Sequence, residues 1–328
     1  MSSPSETPEQ PGLAALIMGE LPAFDAEEVA EQAGVSVEQA RRLWRALGFP
    51  QLDDARGFTS SDVAAVSTLY RTVESGALDF DTAVDLTRAV GQTMARLADW
   101  GVGTLLDRVE ALERGEQATG SRLGSARRLL EELGEPFEAL LTYSWRRHLV
   151  AAVARMEALG ADDEDLHTSN LTVGFADIVS FTALSNQLEE GRIGDLVELF
   201  ESRCGDVVAA HGGRVVKSIG DSVLFTTDTP VAAVEIAEGI IAVIGRDPRM
   251  PDVRVGLATG SVVMRLGDVF GPPVNMAARL TAVARRNRVI VDAVTAKRLP
   301  PEDFDTRRLP ARPVRGFGLV EPVAVRRH

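Results

Sequence analysis

Three short segments in the second half of the chain carry the residue types that hold cations and handle phosphates. In GFADIVSFT, residues 174–182, an apolar strand pattern ends on Asp177, followed by a short apolar step and by Thr182, which is placed to cap a following helix. A carboxylate at a strand end, near backbone groups freed by a turn, can hold a hard cation through oxygen ligands. Taken alone, Asp177 reads as a cap or turn residue. In GRVVKSIGDSVLF, residues 213–225, two apolar runs flank Ile219-Gly220-Asp221-Ser222, which predicts a hairpin with Gly220 supplying the permissive backbone and Asp221 at the tip. Lys217 lies in the first strand of that hairpin and is one of only two lysines in the chain, the other being Lys297. In GDVFGPPVNMAARL, residues 267–280, Pro272 and Pro273 precede a helix on which Asn275 and Arg279 are four apart and share a face. Asp268 lies in the turn before that helix. An isolated Asn–Arg pair is an ordinary solvated pair; its company of carboxylates and a lysine changes that reading.

These segments need a scaffold, and the pattern around them supplies one. The β-branched runs LTVGF, GRVVKSI, SVLFTT, VRVGLATG and RVIV alternate with helical stretches at 192–210, 231–244, 272–285 and 293–299, an α/β arrangement. From Leu13 to about Ala158 the spacing of apolar residues is helical throughout. Residues 138–159 read as one long amphipathic helix, and ADDEDLHTSN after it is an acidic connector. The expected organisation is a disordered polar tail over 1–12, an all-helical domain over 13–137, a helical linker and acidic connector over 138–167, and an α/β domain over 168–328.

Composition narrows the function. The 328 residues carry 35 basic and 48 acidic side chains, a net charge of −13, and only 5% are aromatic. A nucleic-acid binder ordinarily shows the opposite sign, and few aromatic rings are available for stacking bases. Cys204 is the only cysteine, which excludes an intrachain disulfide and a cysteine-based zinc site and fits a reducing compartment. The most apolar run, 231–244, is too short for a membrane span and carries Glu235 and Glu238. With no signal-peptide pattern at the start, the expected location is the cytoplasm.

Residues 28–49 form a helix-turn-helix pattern, with a turn at Gly34 and Val35 and Ser36 capping the second helix. With DARGFTSSDV after it, the stretch resembles the start of regulators related to the mercury-resistance repressor. The second helix carries Arg41, Arg42 and Arg45, yet residues 1–60 hold 4 basic and 10 acidic residues, a poor footprint for phosphates. The pattern is therefore expected to serve packing, with a DNA-binding regulator as the rival class.

Taken together and in this order, the three segments resemble the catalytic domain of class III nucleotidyl cyclases over residues 168–328. The resemblance implies a ferredoxin-like fold with a mainly antiparallel sheet that converts ATP to cyclic AMP and pyrophosphate. Two divalent ions, Mg²⁺ or Mn²⁺, would be held at the positions of Asp177 and Asp221. Lys217 and Asp268 match the residues that select adenine, Asn275 and Arg279 those at the ribose and the reacting phosphate, and Arg315 in RPVRGFG a basic residue on the triphosphate. Because the metal and nucleotide residues serve opposite sites in this family, a complete set in one chain implies a head-to-tail homodimer. The whole chain resembles a two-domain actinobacterial type whose helical N-terminal domain dimerises and restrains the catalytic pair. Some of its members respond to pH and bind lipids, which makes a lipid or fatty acid ligand and His148, in the connecting helix, candidates here. A degenerate, silent member would lack a metal aspartate or the arginine; here all are present.

The chemistry of the residues agrees with that match. When a ribose 3′-oxygen attacks the α-phosphorus and pyrophosphate leaves, charge grows on both oxygens, and two cations shared by carboxylates lower its cost. The fork of donors on Arg279 suits the crowded phosphorus, and Asn275 can fix the ribose. Adenine offers an acceptor at N1 and a donor at N6, matching a lysine donor and an aspartate acceptor, whereas guanine presents the reverse.

Overall fold

The computed structural model describes residues 12–50, 56–116, 118–158, 168–188, 190–265 and 267–328. Most of the polar tail expected over 1–12 and most of the acidic connector lie outside the described residues. Contacts divide the chain between Val153 and Ala154 into two units.

Caps written into the sequence open the helices of the first unit. After α1 (Leu13–Met18), α2 (Ala26–Ala33) begins at Asp25, whose carboxylate accepts from the Glu27 and Glu28 amides, while the Glu28 side chain returns to the Asp25 amide. Ser36 and Gln39 repeat this reciprocal arrangement at α3 (Val37–Leu47). Between them Gly34 takes the left-handed conformation. The unit continues through α4 (Ser60–Glu74), α5 (Phe80–Glu113) and most of α6 (Arg122–Ala158). The helix expected to start at 138 therefore begins at Arg122 and runs through Pro136. Trp44 stacks on Phe58 with ring centroids 4.2 Å apart, within a core that includes Val29, Leu43, Val66 and Val84.

The helix-turn-helix pattern is real as α2 and α3, and two of its three arginines are engaged within the unit. Arg42 bonds Asp81 at 2.5 Å and Arg45 bonds Glu38 at 2.9 Å. That favours the packing role over a phosphate-binding one.

The second unit comprises β1 (Thr168–Ile178), α7 (Phe181–Ser185), α8 (Glu190–Ala210), β2 (Arg214–Ile219), β3 (Ser222–Thr227), α9 (Pro230–Gly245), β4 (Val253–Arg265) and β5 (Asp268–Phe270). It continues with α10 (Pro272–Val283), β6 (Val289–Val291), α11 (Ala293–Lys297), β7 (Phe304–Arg308), β8 (Arg312–Val314), β9 (Gly318–Val320) and β10 (Val323–Arg327). The main sheet runs β2-β3-β1-β4-β6-β10-β7, with β5 added to β4 and with β8 and β9 forming a separate hairpin. Only the β4–β6 pairing is parallel, so the sheet is mainly antiparallel.

Strand alternation gives the sheet two unlike faces. Ala176, Ile178, Val223, Phe225, Val255 and Leu257 point into the larger core, which Phe200 and Cys204 of α8 and Ile236 and Ile240 of α9 complete. Leu171, Val173, Phe175, Leu224 and Ala258 point to the other face, against Ala277 of α10. Gly256 lets α10 come this close, because a Cβ there would lie 2.4 Å from the backbone nitrogen of Thr281. That approach sets the depth at which Asn275 and Arg279 stand above the sheet.

Candidate active site

The end of β1 and the tip of the next hairpin meet. Asp177 pairs in register with Ser222, and the Ile178 amide donates to the carbonyl of Asp221 at 3.2 Å. Gly220 and Asp221 form the two-residue turn between β2 and β3, with Gly220 at φ 61°, as the sequence predicts. Asp177 follows Leu171, Val173 and Phe175 on the α10 face, buried but not isolated. Its Oδ1 accepts from the Ser222 hydroxyl, and its Oδ2 receives Arg254 Nε at 2.8 Å and Nη2 at 2.7 Å.

A neighbouring carboxylate opposes the ionisation of Asp221. Partial burial, followed by the charge of Asp177, pushes Asp221 above the ordinary carboxylate range, and Arg254 offsets part of that. One guanidinium thus serves two acids, leaving a site whose net charge favours an added cation. The donor set is oxygen-only, which fits Mg²⁺ or Mn²⁺ far better than a soft metal.

Arg254 was not singled out by the sequence analysis. It stands directly across β4 from Asp177 and also donates through Nη1 to the Ala282 carbonyl at 3.2 Å, tying the aspartate to the last turn of α10. The available signal was a charged residue inside the otherwise apolar run VRVGLATG.

Farther along the same face, Lys217 of β2 forms a short ion pair with Asp268, whose Oδ1 also accepts the Val269 amide at 2.8 Å. Fifty-one residues apart in sequence, the two are brought together because β5 folds back onto β4. Asp268 is thus a strand residue and not part of the turn before α10. Both side chains remain partly exposed, at 36% and 26%. Asn275 and Arg279 are exposed on α10, and Arg315 is exposed in the turn between β8 and β9. Among the described residues, none of these three side chains has a hydrogen-bond or ion-pair partner.

Two local expectations are corrected. Pro272 and Pro273 are the first two residues of α10 and do not precede it; a fixed φ suits the first turn, where amides have no partner in the helix. Thr182 does not cap a helix, because α7 starts one residue earlier with Ser180 at its N-cap, and Thr182 falls inside it.

Comparison with known proteins decides the family. Residues 164–325 match the model described as the adenylate and guanylate cyclase catalytic domain. The chain is 39% identical to an adenylate cyclase of Streptomyces coelicolor, over 98% of this chain and 90% of that protein. The chain belongs to the class III nucleotidyl cyclases. An adenylate cyclase of Glutamicibacter nicotianae is 38% identical over 97% of this chain and 84% of its own length. A pH-sensitive adenylate cyclase of Mycobacterium tuberculosis is 29% identical over 81% of this chain and 67% of its own. Among solved structures, the adenylyl cyclase CyaB of P. aeruginosa shares 22% identity, covering 48% of this cyclase and 94% of that chain, with a TM-score of 0.45. No helix among the described residues is long and apolar enough to cross a membrane.

Proposed function

We propose that this cyclase converts ATP to 3′,5′-cyclic AMP and pyrophosphate in a head-to-tail homodimer, with two Mg²⁺ or Mn²⁺ ions held by Asp177 and Asp221. The observation carrying the reading is that the strand end bearing Asp177 meets the turn bearing Asp221, in the same unit that joins Lys217 to Asp268. The cations supply charge neutralisation at the attacking and leaving oxygens.

The chain's own residues do the rest. Lys217 donates to adenine N1, and Asp268 accepts from the N6 amino group; their ion pair holds both groups at a fixed spacing before the base arrives. Asn275 orients the ribose through its amide. Arg279 places its planar donors on the phosphoryl oxygens as the phosphorus becomes five-coordinate, and Arg315 neutralises the outer phosphates. Arg254 fixes Asp177 against α10. The partnerless state of Asn275, Arg279 and Arg315 supports a site completed by a second copy. The helical unit is read as the regulatory and dimerising region over 13–137, joined through the linker over 138–167 to the catalytic domain over 168–328.

The test is product formation by the full-length protein with Mn²⁺, given ATP or GTP. Cyclic AMP from ATP alone is expected; no cyclic nucleotide from either substrate refutes the reading. The shared site is tested by mixing two inactive variants, Asp177→Ala and Arg279→Ala. A heterodimer keeps one intact site, so random exchange restores about a quarter of wild-type turnover. A mixture that stays inactive while subunits exchange rules out the head-to-tail arrangement.

A further inference from the structure

A second charged region lies on the α10 face of the sheet, on the side away from Lys217 and Asp268. A cleft of about 820 Å³ opens between the loop after α10 and the edge formed by β7 and β10. Arg285 and Arg288 line it from that loop, and Arg307, Arg312 and Arg326 from the edge side. Its floor is apolar: Ile290 pairs in register with Ala324, which pairs in turn with Arg307, so the three project to one side. Ile290 packs there with Leu280 and Ala284, and Leu309 closes the cluster.

Arginines without a carboxylate partner are not confined to this cleft, Arg279 and Arg315 among them, but here several are gathered in one place. The chain carries 48 acidic residues, and arginines such as Arg42, Arg45, Arg203, Arg254 and Arg327 are each engaged by a carboxylate. Among the described residues, none of the five cleft arginines has such a partner. Arg308 is held by Glu321 at 3.4 Å, and the one acid lining the cleft, Asp305, lies 3.7 Å from the His328 ring nitrogen. Five like charges converging in a concavity repel one another, and low-dielectric walls focus their field outward. An anion with several oxygens relieves that repulsion, and guanidinium forks match phosphate geometry. The volume is that of a small-molecule site.

We propose that this cleft is a binding site for an anion bearing phosphate groups, separate from the nucleotide site. The phosphates come either from a soluble polyphosphate or from an anionic lipid headgroup, and the chemistry that recognises them is the same. This goes beyond the proposed turnover and does not depend on it.

The experiment titrates the full-length protein with inorganic pyrophosphate by calorimetry in metal-free buffer, and in parallel measures co-sedimentation with phosphatidylglycerol vesicles. Saturable, salt-sensitive binding of pyrophosphate identifies the soluble source; binding to vesicles alone identifies the headgroup. The double variant Arg288→Gln/Arg307→Gln should weaken binding by about a hundredfold, since each lost charge-assisted contact is worth about tenfold or more. Arg312→Gln/Arg326→Gln provides the same test where the first pair disturbs folding, as judged by circular dichroism. Arg315→Gln, at the position proposed for the outer phosphates of the nucleotide, should leave binding unchanged. The proposal fails if neither probe binds, if affinity survives in a folded double variant, or if Arg315→Gln abolishes it.

Discussion

On one face of the catalytic sheet, α8, α9 and α11 lie over a continuous core in which Phe200, Phe225, Ile236 and Ile240 are fully or almost fully buried. On the other face α10 alone covers the middle strands, with Asp177, Lys217 and Asp268 to one side and the arginine cleft to the other. Both faces are built from the same strands by alternation, so every strand contributes to each. The difference shows how this fold separates stability from chemistry. Apolar burial is concentrated where three helices exclude water, and charged groups collect where one helix leaves the sheet open.

If that separation holds, changes on the open face should remove turnover and leave stability nearly intact. Asp177→Ala or Asp221→Ala is expected to lower cyclic AMP production by about a thousandfold or more, with circular dichroism and oligomeric state unchanged. Retained activity in either variant would remove that residue from the metal site. On the closed face the pattern should invert. Phe200→Ala is expected to cost about 3–5 kcal/mol of unfolding free energy, measured in denaturant, while the ATP-over-GTP ratio of the surviving folded enzyme stays the same. A changed ratio would mean that the two faces are coupled.

A smaller effect is expected at Lys217. Reversing its charge in Lys217→Glu places a like charge against Asp268 and offers adenine N1 an acceptor, so kcat/KM for ATP should fall by about ten- to a hundredfold. An unaltered ATP/GTP ratio would exclude the pair from base selection.

The smallest effect concerns the closed face and acid. Hydrogen bonds from the Arg249 side chain, then from its amide, with a further bond from Arg203 of α8, hold Asp247 well below the usual carboxylate range. A carboxyl depressed in the folded state adds stability that is present above its unfolded value, about 3.9, and is lost as pH falls through the folded one. Asp247→Asn should therefore flatten the fall of stability with acid below about pH 4, as followed by thermal melts at stepped pH. An unchanged slope would show that Arg203–Asp247 does not tie α8 to the loop after α9.

Much of this was legible in the chain itself. The Ser36 cap, the Gly220–Asp221 turn and the strand that carries Asp177 near its end are local, because each is decided by residues within four or five positions of one another. The short C-terminal strands were not legible. Stretches such as Phe304–Arg308 and Arg312–Val314 are dominated by charge and lack an apolar alternation, so only pairing with β10 and β9 makes them strands.

The amino-acid order alone marked which side chains are candidates for chemistry, and where a helical pattern gives way to an α/β one. It could not settle which charges neutralise one another. That Arg254 stands beside Asp177 on the neighbouring strand, that Lys217 reaches Asp268 over fifty-one positions, and that five arginines from three stretches share one cleft depend on register and on the return of β5, β7 and β10 to the sheet. Coulomb interactions fall off with distance in space and are blind to separation along the chain, so only the folded arrangement assigns them.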